Sequence, residues 1–129
     1  MKLMIADDHP GARAIIRTIM TSQGVEMREC SSGEEALQLA REFKPDWVIL
    51  DVHMPGMNGF QAAAAIRAEH PRAIIVIVSS DSHPHHREAA RAAGAVGFVP
   101  KEKLFELRQF LNPAATSRPA SGGNATAPS

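Results

Sequence analysis

The order of segments predicts an α/β fold of five βα units, a doubly wound parallel sheet with helices on both faces. Three observations carry that expectation. Short apolar runs recur at residues 3–6, 25–30, 47–50, 74–78 and 96–99, and three of them are nearly continuous rather than alternating. Continuous runs suit strands buried on both faces, as in a parallel sheet covered by helices. Between them, apolar residues repeat at helical spacing, and right-handed crossovers then wind successive βα units into one sheet. Finally, 129 residues with 44% hydrophobic content suit one core and leave little room for a second.

Each element has its own signature. The first strand, residues 3–6, leads to Pro10, which fits the first turn of a helix because its missing N–H has no partner there. Ile15, Ile16, Ile19 and Met20 form one stripe of that helix, and Gly24 is expected to stop it. The second run is interrupted by Glu26 and Arg28, as expected of an edge strand. Ser32 and Glu35 have capping-box spacing ahead of Ala36, Leu37, Leu39 and Ala40. After the third strand, Asn58 is placed to cap a helix carrying Phe60, Ala63, Ala64 and Ile66. Residues 84–93 form an alanine-rich helix closed by Gly94, and residues 102–111 form a last helix. From Pro113 the chain has no large apolar residue and one charge, Arg118, so 113–129 is expected to be a disordered tail or linker stub after a domain at 1–112.

The bulk chemistry narrows the function. Fourteen basic and fourteen acidic residues give no net charge, no basic helix stands out, and a nucleic-acid role for this chain itself finds no support. No apolar run approaches a membrane span and the N-terminus is too short for a signal peptide, so a cytoplasmic protein without membrane contact is expected. The single cysteine, Cys30, allows no intrachain disulfide.

Five residues that could do chemistry fall at or after strand ends: Asp7 and Asp8 after the first, Asp51 after the third, Ser79 ending the fourth and Lys101 after the fifth. Sites in open α/β sheets form outside the carboxyl ends of the strands, so these residues converge at one edge. Three carboxylates held together repel unless a cation joins them, and Mg²⁺ suits such oxygens. A carboxylate can be the nucleophile that forms an aspartyl-phosphate. Lys101 would supply a counter-charge and Ser79 a hydrogen bond to a phosphoryl oxygen. Taken singly, each has an ordinary reading: Asp7 and Asp8 as helix caps, Asp51 as a turn residue before Met54-Pro55-Gly56, Ser79 as a cap, Lys101 as a surface lysine. Their common position after strand ends argues for a site. His83, His85 and His86 read as a solvated loop rather than a metal site, His9 as a helix-start residue and His70 as a helix-end residue.

The segments Ile5-Ala6-Asp7-Asp8-His9-Pro10, Asp51-Val52-His53-Met54-Pro55-Gly56-Met57-Asn58-Gly59, Val78-Ser79-Ser80 and Phe98-Val99-Pro100-Lys101 together resemble the motifs of response-regulator receiver domains. The Asp-Asp-His-Pro start is similar to receivers that carry LuxR-type helix-turn-helix outputs. The resemblance covers residues 1–112 and implies a flavodoxin-like sheet of order 2-1-3-4-5. It implies Asp51 as phosphoacceptor, with Asp7, Asp8, Asp51 and the His53 backbone carbonyl around Mg²⁺. Ser79 and Lys101 would act on the phosphoryl group, and Ser79 with Phe98 would form the switch. No separate organic cofactor is implied. The implied partners are a histidine kinase or phosphotransfer protein, a downstream protein on the face of the fourth helix, fifth strand and fifth helix, and a second copy in a phosphorylation-dependent homodimer. Such a chain is a signalling phosphoacceptor that catalyses only its own phosphorylation and dephosphorylation. Glu102 stands where many receivers have a proline after the lysine, which affects the expected loop around Lys101. His53, with Asp81, is expected to set the lifetime of the phosphoryl group. Three competitors are a receiver fragment of a longer DNA-binding regulator, a phosphorylation-independent interaction module, and a phosphatase. The last would want a carboxylate at the position of His53.

Overall fold

In the computed structural model, which describes residues 1–21, 24–81 and 83–111, five strands alternate with helices. They are β1 (Lys2–Ala6), α1 (Pro10–Met20), β2 (Glu26–Cys30), α2 (Gly33–Phe43), β3 (Trp47–Asp51), α3 (Gly59–Glu69), β4 (Ile74–Ser79), α4 (Pro84–Ala92) and β5 (Gly97–Pro100), followed by a 3₁₀ helix over Lys101–Leu111. The sheet is parallel throughout with order β2-β1-β3-β4-β5, as expected. The expected tail at 113–129 lies outside the described residues. No described helix is long and apolar enough to cross a membrane.

Strand periodicity sorts the core into two layers. Met4, Val48, Leu50, Ile75 and Ile77 face the side packed by Ala36, Ala40 and Phe43 of α2 and Ala62, Ala63 and Ile66 of α3. Leu3, Ile5, Ile49, Val76 and Val78 face the other side, against Ile16 and Met20 of α1 and Leu104 and Leu107 of the last helix. Each such fully buried Ile, Leu or Val contributes roughly 1.5–3 kcal/mol relative to exposure. The more polar β2 lies at one edge, as its composition predicts, and β5 lies at the other. An edge position tolerates Pro100 at the end of β5, because a missing N–H there breaks no interior ladder.

The caps agree with expectation in outline and differ in detail. Asn58 accepts from Gln61 N and Gln61 Oε1 accepts from Asn58 N, both at 2.9 Å, a complete capping box. Ser32 accepts from Glu35 N at 3.1 Å, but Glu35 returns the bond to Ser31 N rather than to Ser32 N. Gly94, at φ +96°, closes α4 with Gly94 N bonding Arg91 O and Ala95 N bonding Ala90 O, the pair of a Schellman ending.

Four expectations are corrected. Gly24 does not end α1: the helix stops at Met20, where Thr21 turns to extended backbone, and Gly24 (φ +84°) serves the turn into β2. Ile15 does not join the buried stripe but stays 53% exposed, because α1 meets the sheet through Ile16 and Met20. His83 caps α4, its Nδ1 accepting from His85 N, and His85 and His86 lie inside the first turn instead of in a loop. The last helix is 3₁₀ and is broken at Lys103 (φ −127°, ψ 36°), so its apolar residues reach the core through a kinked turn.

Candidate functional site

The parallel sheet brings the expected residues to one edge. Asp7 follows β1 directly and is held by Asp7 N donating to Cys30 O at 3.1 Å. Asp51 is the last residue of β3, not the first of the loop, and is 1% exposed. Ser79 ends β4, fully buried, and Lys101 follows β5. The Lys101 ammonium sits 2.8 Å from Asp7 Oδ2 and 3.3 Å from Asp51 Oδ1, with all described peptide bonds trans. Glu102 in place of proline has therefore not displaced the lysine.

Electrostatics follow from this packing. Asp51 Oδ2 receives no hydrogen bond, and Oδ1 has only the Lys101 ammonium near it. Burial pushes the Asp51 carboxyl above the usual carboxylate range, and the charges of Asp7 and, less, Asp8 push the same way; Lys101 offsets part of this. A raised native pKa means that the charged form disfavours folding. The group's contribution is intact below the unfolded carboxylate value and is lost as pH rises through the higher native value. Asp51→Asn is thus expected to raise the cation-free Tm at neutral pH by several degrees, about what 1 kcal/mol gives in a domain this size. The gain should shrink as pH falls through that raised native value and be gone below the ordinary aspartate pKa of 3.8. Calorimetry of both proteins from acid to neutral pH checks this.

The donor set fits a hard divalent cation. Ligand atoms from Asp7, Asp8, His9 and Asp51 lie within 4.8 Å of one another, the one such group among the described residues. Three of the four are carboxylates, and the buried oxygens without hydrogen-bond donors gain partners if a cation joins them. His9 is the member that sequence reasoning did not place in the site. Its Nδ1 lies 3.0 Å from Asp8 Oδ1 and 3.3 Å from Asp7 Oδ1. The Asp-Asp-His adjacency was available as a cue. Arg13 was also missed; its Nη1 donates to Asp7 O at 2.6 Å and its Nε to Glu29 at 3.1 Å, pinning the strand end.

The remaining residues surround this centre. Ser79 Oγ accepts from Asp81 N at 3.0 Å. Phe98 is half-buried in β5, with the Arg87 guanidinium 5.3 Å above its ring and the His86 ring 6.1 Å away. His53 is exposed two residues beyond Asp51, its ring edge-on to His86 at 6.0 Å. Val52 and Met54, both buried, anchor the loop between them. Two glycines admit that loop. A Cβ on Gly59 would stand 2.2 Å from Asp51 O, and one on Gly33 would stand 2.4 Å from Met57 O. A cavity of about 340 Å³ at the opposite end of the sheet, lined by Lys44, Asp46, His70 and Arg72 among others, contains none of the expected site residues.

Comparison with known proteins agrees with this geometry. A family model described as the response regulator receiver domain matches residues 3–112. The chain is 38% identical over 104 residues to the DNA-binding transcriptional activator EvgA of Escherichia coli K12, covering 80% of this chain and 51% of EvgA. It is 35% identical over 114 residues to the response regulator GacA of Pseudomonas syringae pv. syringae, covering 86% and 53%. The signal receiver domain of NarL from Mycobacterium tuberculosis superposes with a TM-score of 0.80 at 30% identity, covering 91% of this chain and 97% of that one. A LuxR-family two-component response regulator from Aurantimonas gives 0.80 at 32% identity, covering 91% and 86%. The chain spans about half the length of the curated relatives it matches.

Proposed function

The chain belongs to the response regulator receiver domain family, with relatives of LuxR type, and from that membership we propose that residues 1–112 are a switch thrown by phosphorylation of Asp51. The observation that carries the proposal is the state of Asp51: buried at a strand end, with one oxygen free of hydrogen bonds and a lysine beside the other.

In the step itself an Asp51 oxygen forms a bond to phosphorus while the bond from phosphorus to the donor's histidine nitrogen breaks, its electron pair staying on that nitrogen. A divalent cation such as Mg²⁺, held by Asp7, Asp8, Asp51 and the His53 backbone carbonyl, would neutralise carboxylate and phosphoryl charge when bound. Lys101 moves its charge from the carboxylates to a phosphoryl oxygen. Ser79 gives up the Asp81 N–H and turns its own O–H towards the phosphoryl group, and Phe98 follows. The donor is a histidine kinase or phosphotransfer protein of the cytoplasm. The face of α4, β5 and the last helix then changes its affinity for a downstream protein or a second copy, a population shift between two states.

Intact-protein mass spectrometry with a small phosphodonor and Mg²⁺ tests this. One Mg²⁺-dependent phosphoryl adduct is expected on the wild type and none on Asp51→Ala. No adduct on a folded wild type would overturn the switch in favour of a phosphorylation-independent module. A second measurement addresses His53, whose ring stands beside the acceptor loop. His53→Asn opens the approach for water and is expected to speed loss of the phosphoryl group several-fold in a dephosphorylation time course. An unchanged rate would remove His53 from that role.

We further propose that this receiver works within a longer regulator. The support is its coverage of about half of EvgA and GacA, of which EvgA is named a DNA-binding activator. The mass of the native product in cells distinguishes this from a stand-alone receiver.

A further inference from the structure

We infer that His9 supplies a nitrogen ligand to the acidic pocket, so that the pocket prefers a first-row transition ion such as Mn²⁺ over Mg²⁺. This rests on the reading of the pocket as the cation site. The ring is not occupied elsewhere: His9 is the N-cap residue of α1, yet its side chain makes no capping hydrogen bond. Pro10 explains where the ring goes. A residue before proline is held out of helical backbone, and His9 is extended at φ −102°, ψ 110°. That backbone carries the ring back over the strand end instead of along the helix. His9 N is fixed in the same way, donating to Asp7 Oδ1 at 2.9 Å.

Nδ1 consequently lies within reach of two carboxylates and in one ligand group with Asp7, Asp8 and Asp51. The independent sign that this group is a site is Asp51, almost wholly buried and with an unpartnered oxygen in the same cluster. Carboxylates and water suit Mg²⁺ and Mn²⁺ alike; an imidazole nitrogen adds affinity for a first-row transition ion, least for Mn²⁺ within that row, and little for Mg²⁺. At 66% side-chain exposure His9 has the freedom to close on an ion. The competing role is a simple polar partner, in which His9 Nδ1 stays with Asp7 and Asp8 until a cation displaces it. The two roles predict opposite effects when the ring is removed.

The test uses the full chain, with Mn²⁺ and Mg²⁺ as probes at about pH 8, where free imidazole is neutral. Affinities come from titration calorimetry, and pulsed electron paramagnetic resonance on bound Mn²⁺ reads nitrogen coordination directly. The wild type is expected to show a nitrogen coupling that excess Mg²⁺ abolishes. His9→Ala should lose that coupling and weaken Mn²⁺ binding at least about tenfold, the low end of what losing even an outer-shell partner costs. Its Mg²⁺ affinity should stay nearly constant. His9→Gln, which restores length without imidazole nitrogen, should behave like His9→Ala. No nitrogen coupling in the wild type, an unchanged Mn²⁺ to Mg²⁺ preference, or tighter binding of both ions by His9→Ala would overturn the inference while leaving the pocket's role intact. If Asp51→Asn leaves both affinities unchanged, the reading of the pocket itself falls, and the inference with it.

Discussion

Replacing Lys101 with methionine is expected to cost the cation-free protein about 3–5 kcal/mol at neutral pH, the usual cost of removing one partner from a buried ion pair. Methionine keeps most of the length and the apolar stem. What disappears is the charge 2.8 Å from Asp7 Oδ2 and 3.3 Å from Asp51 Oδ1, in a place where both carboxylates are closed to solvent. Lys101 is also the cation that opposes the upward shift of Asp51, so without it that carboxyl rises further. The sign with pH follows. The loss is largest where Asp51 is charged, and it shrinks as pH falls and that carboxyl takes up its proton in the native state. A saturating divalent cation should restore much of the stability, since a ligand at 100 times its Kd adds about 2.7 kcal/mol. Urea unfolding with and without Mg²⁺, at neutral and acid pH, checks all three statements. A midpoint unmoved by the substitution would mean that the lysine is solvated and not part of the pocket. Phosphoryl uptake should fall as well if Lys101 has the counter-charge role proposed for it.

The second large effect is expected from a methyl group. Gly59→Ala should destabilise by about 2–4 kcal/mol and nearly abolish phosphoryl incorporation. The added Cβ meets Asp51 O at 2.2 Å, Asp51 C at 2.9 Å and Val52 Cα at 3.0 Å, all backbone, so no rotamer relieves the contact. Gly59 N also donates to Val52 O at 2.9 Å, which ties the start of α3 to the residue after β3. Helix propensity alone favours alanine over glycine by roughly 0.5–1 kcal/mol, so the clash must win for the prediction to hold. Gly11→Ala is the control. It lies in α1 with nothing within 4 Å of a Cβ and should be neutral or stabilising by up to about 1 kcal/mol. Denaturant midpoints for the two variants decide the matter, and a Gly59→Ala protein as stable as Gly11→Ala would contradict the packing described here.

Much of this was legible in the residues. Trp47 to Leu50 and Ile74 to Val78 read as central strands because both their faces are apolar, and Glu26 and Arg28 marked β2 as an edge because charges are tolerated there. Asn58 announced the start of α3 because a cap is a local hydrogen bond that needs no distant partner, and the structure added the return bond of Gln61. Features that depend on a neighbour in space were misread or unseen. Gly24 looked like a helix stop, but Thr21 ended the helix first. Ile15 looked like core, but α1 packs on the sheet through Ile16 and Met20 and leaves it outside. His9 is the helix-start residue it was read as, but its ring's place beside Asp7 and Asp8 went unseen, because that depends on backbone angles and not on adjacency alone.

By itself the sequence determined the order of the five strands and of the helical segments that follow them, and the edge of the sheet where Asp7, Asp8, Asp51, Ser79 and Lys101 gather. Periodicity is local, and a parallel sheet sends every strand's carboxyl end the same way. Only the tertiary structure decided that Lys101 pairs with both Asp7 and Asp51, that Asp51 is buried with an oxygen left over, and that Gly59 has no room for a side chain. Those facts are distances across loops and between strands, not spacings along the chain. Charge interaction, desolvation and steric exclusion all change steeply over an ångström or two, a scale that residue spacing does not report.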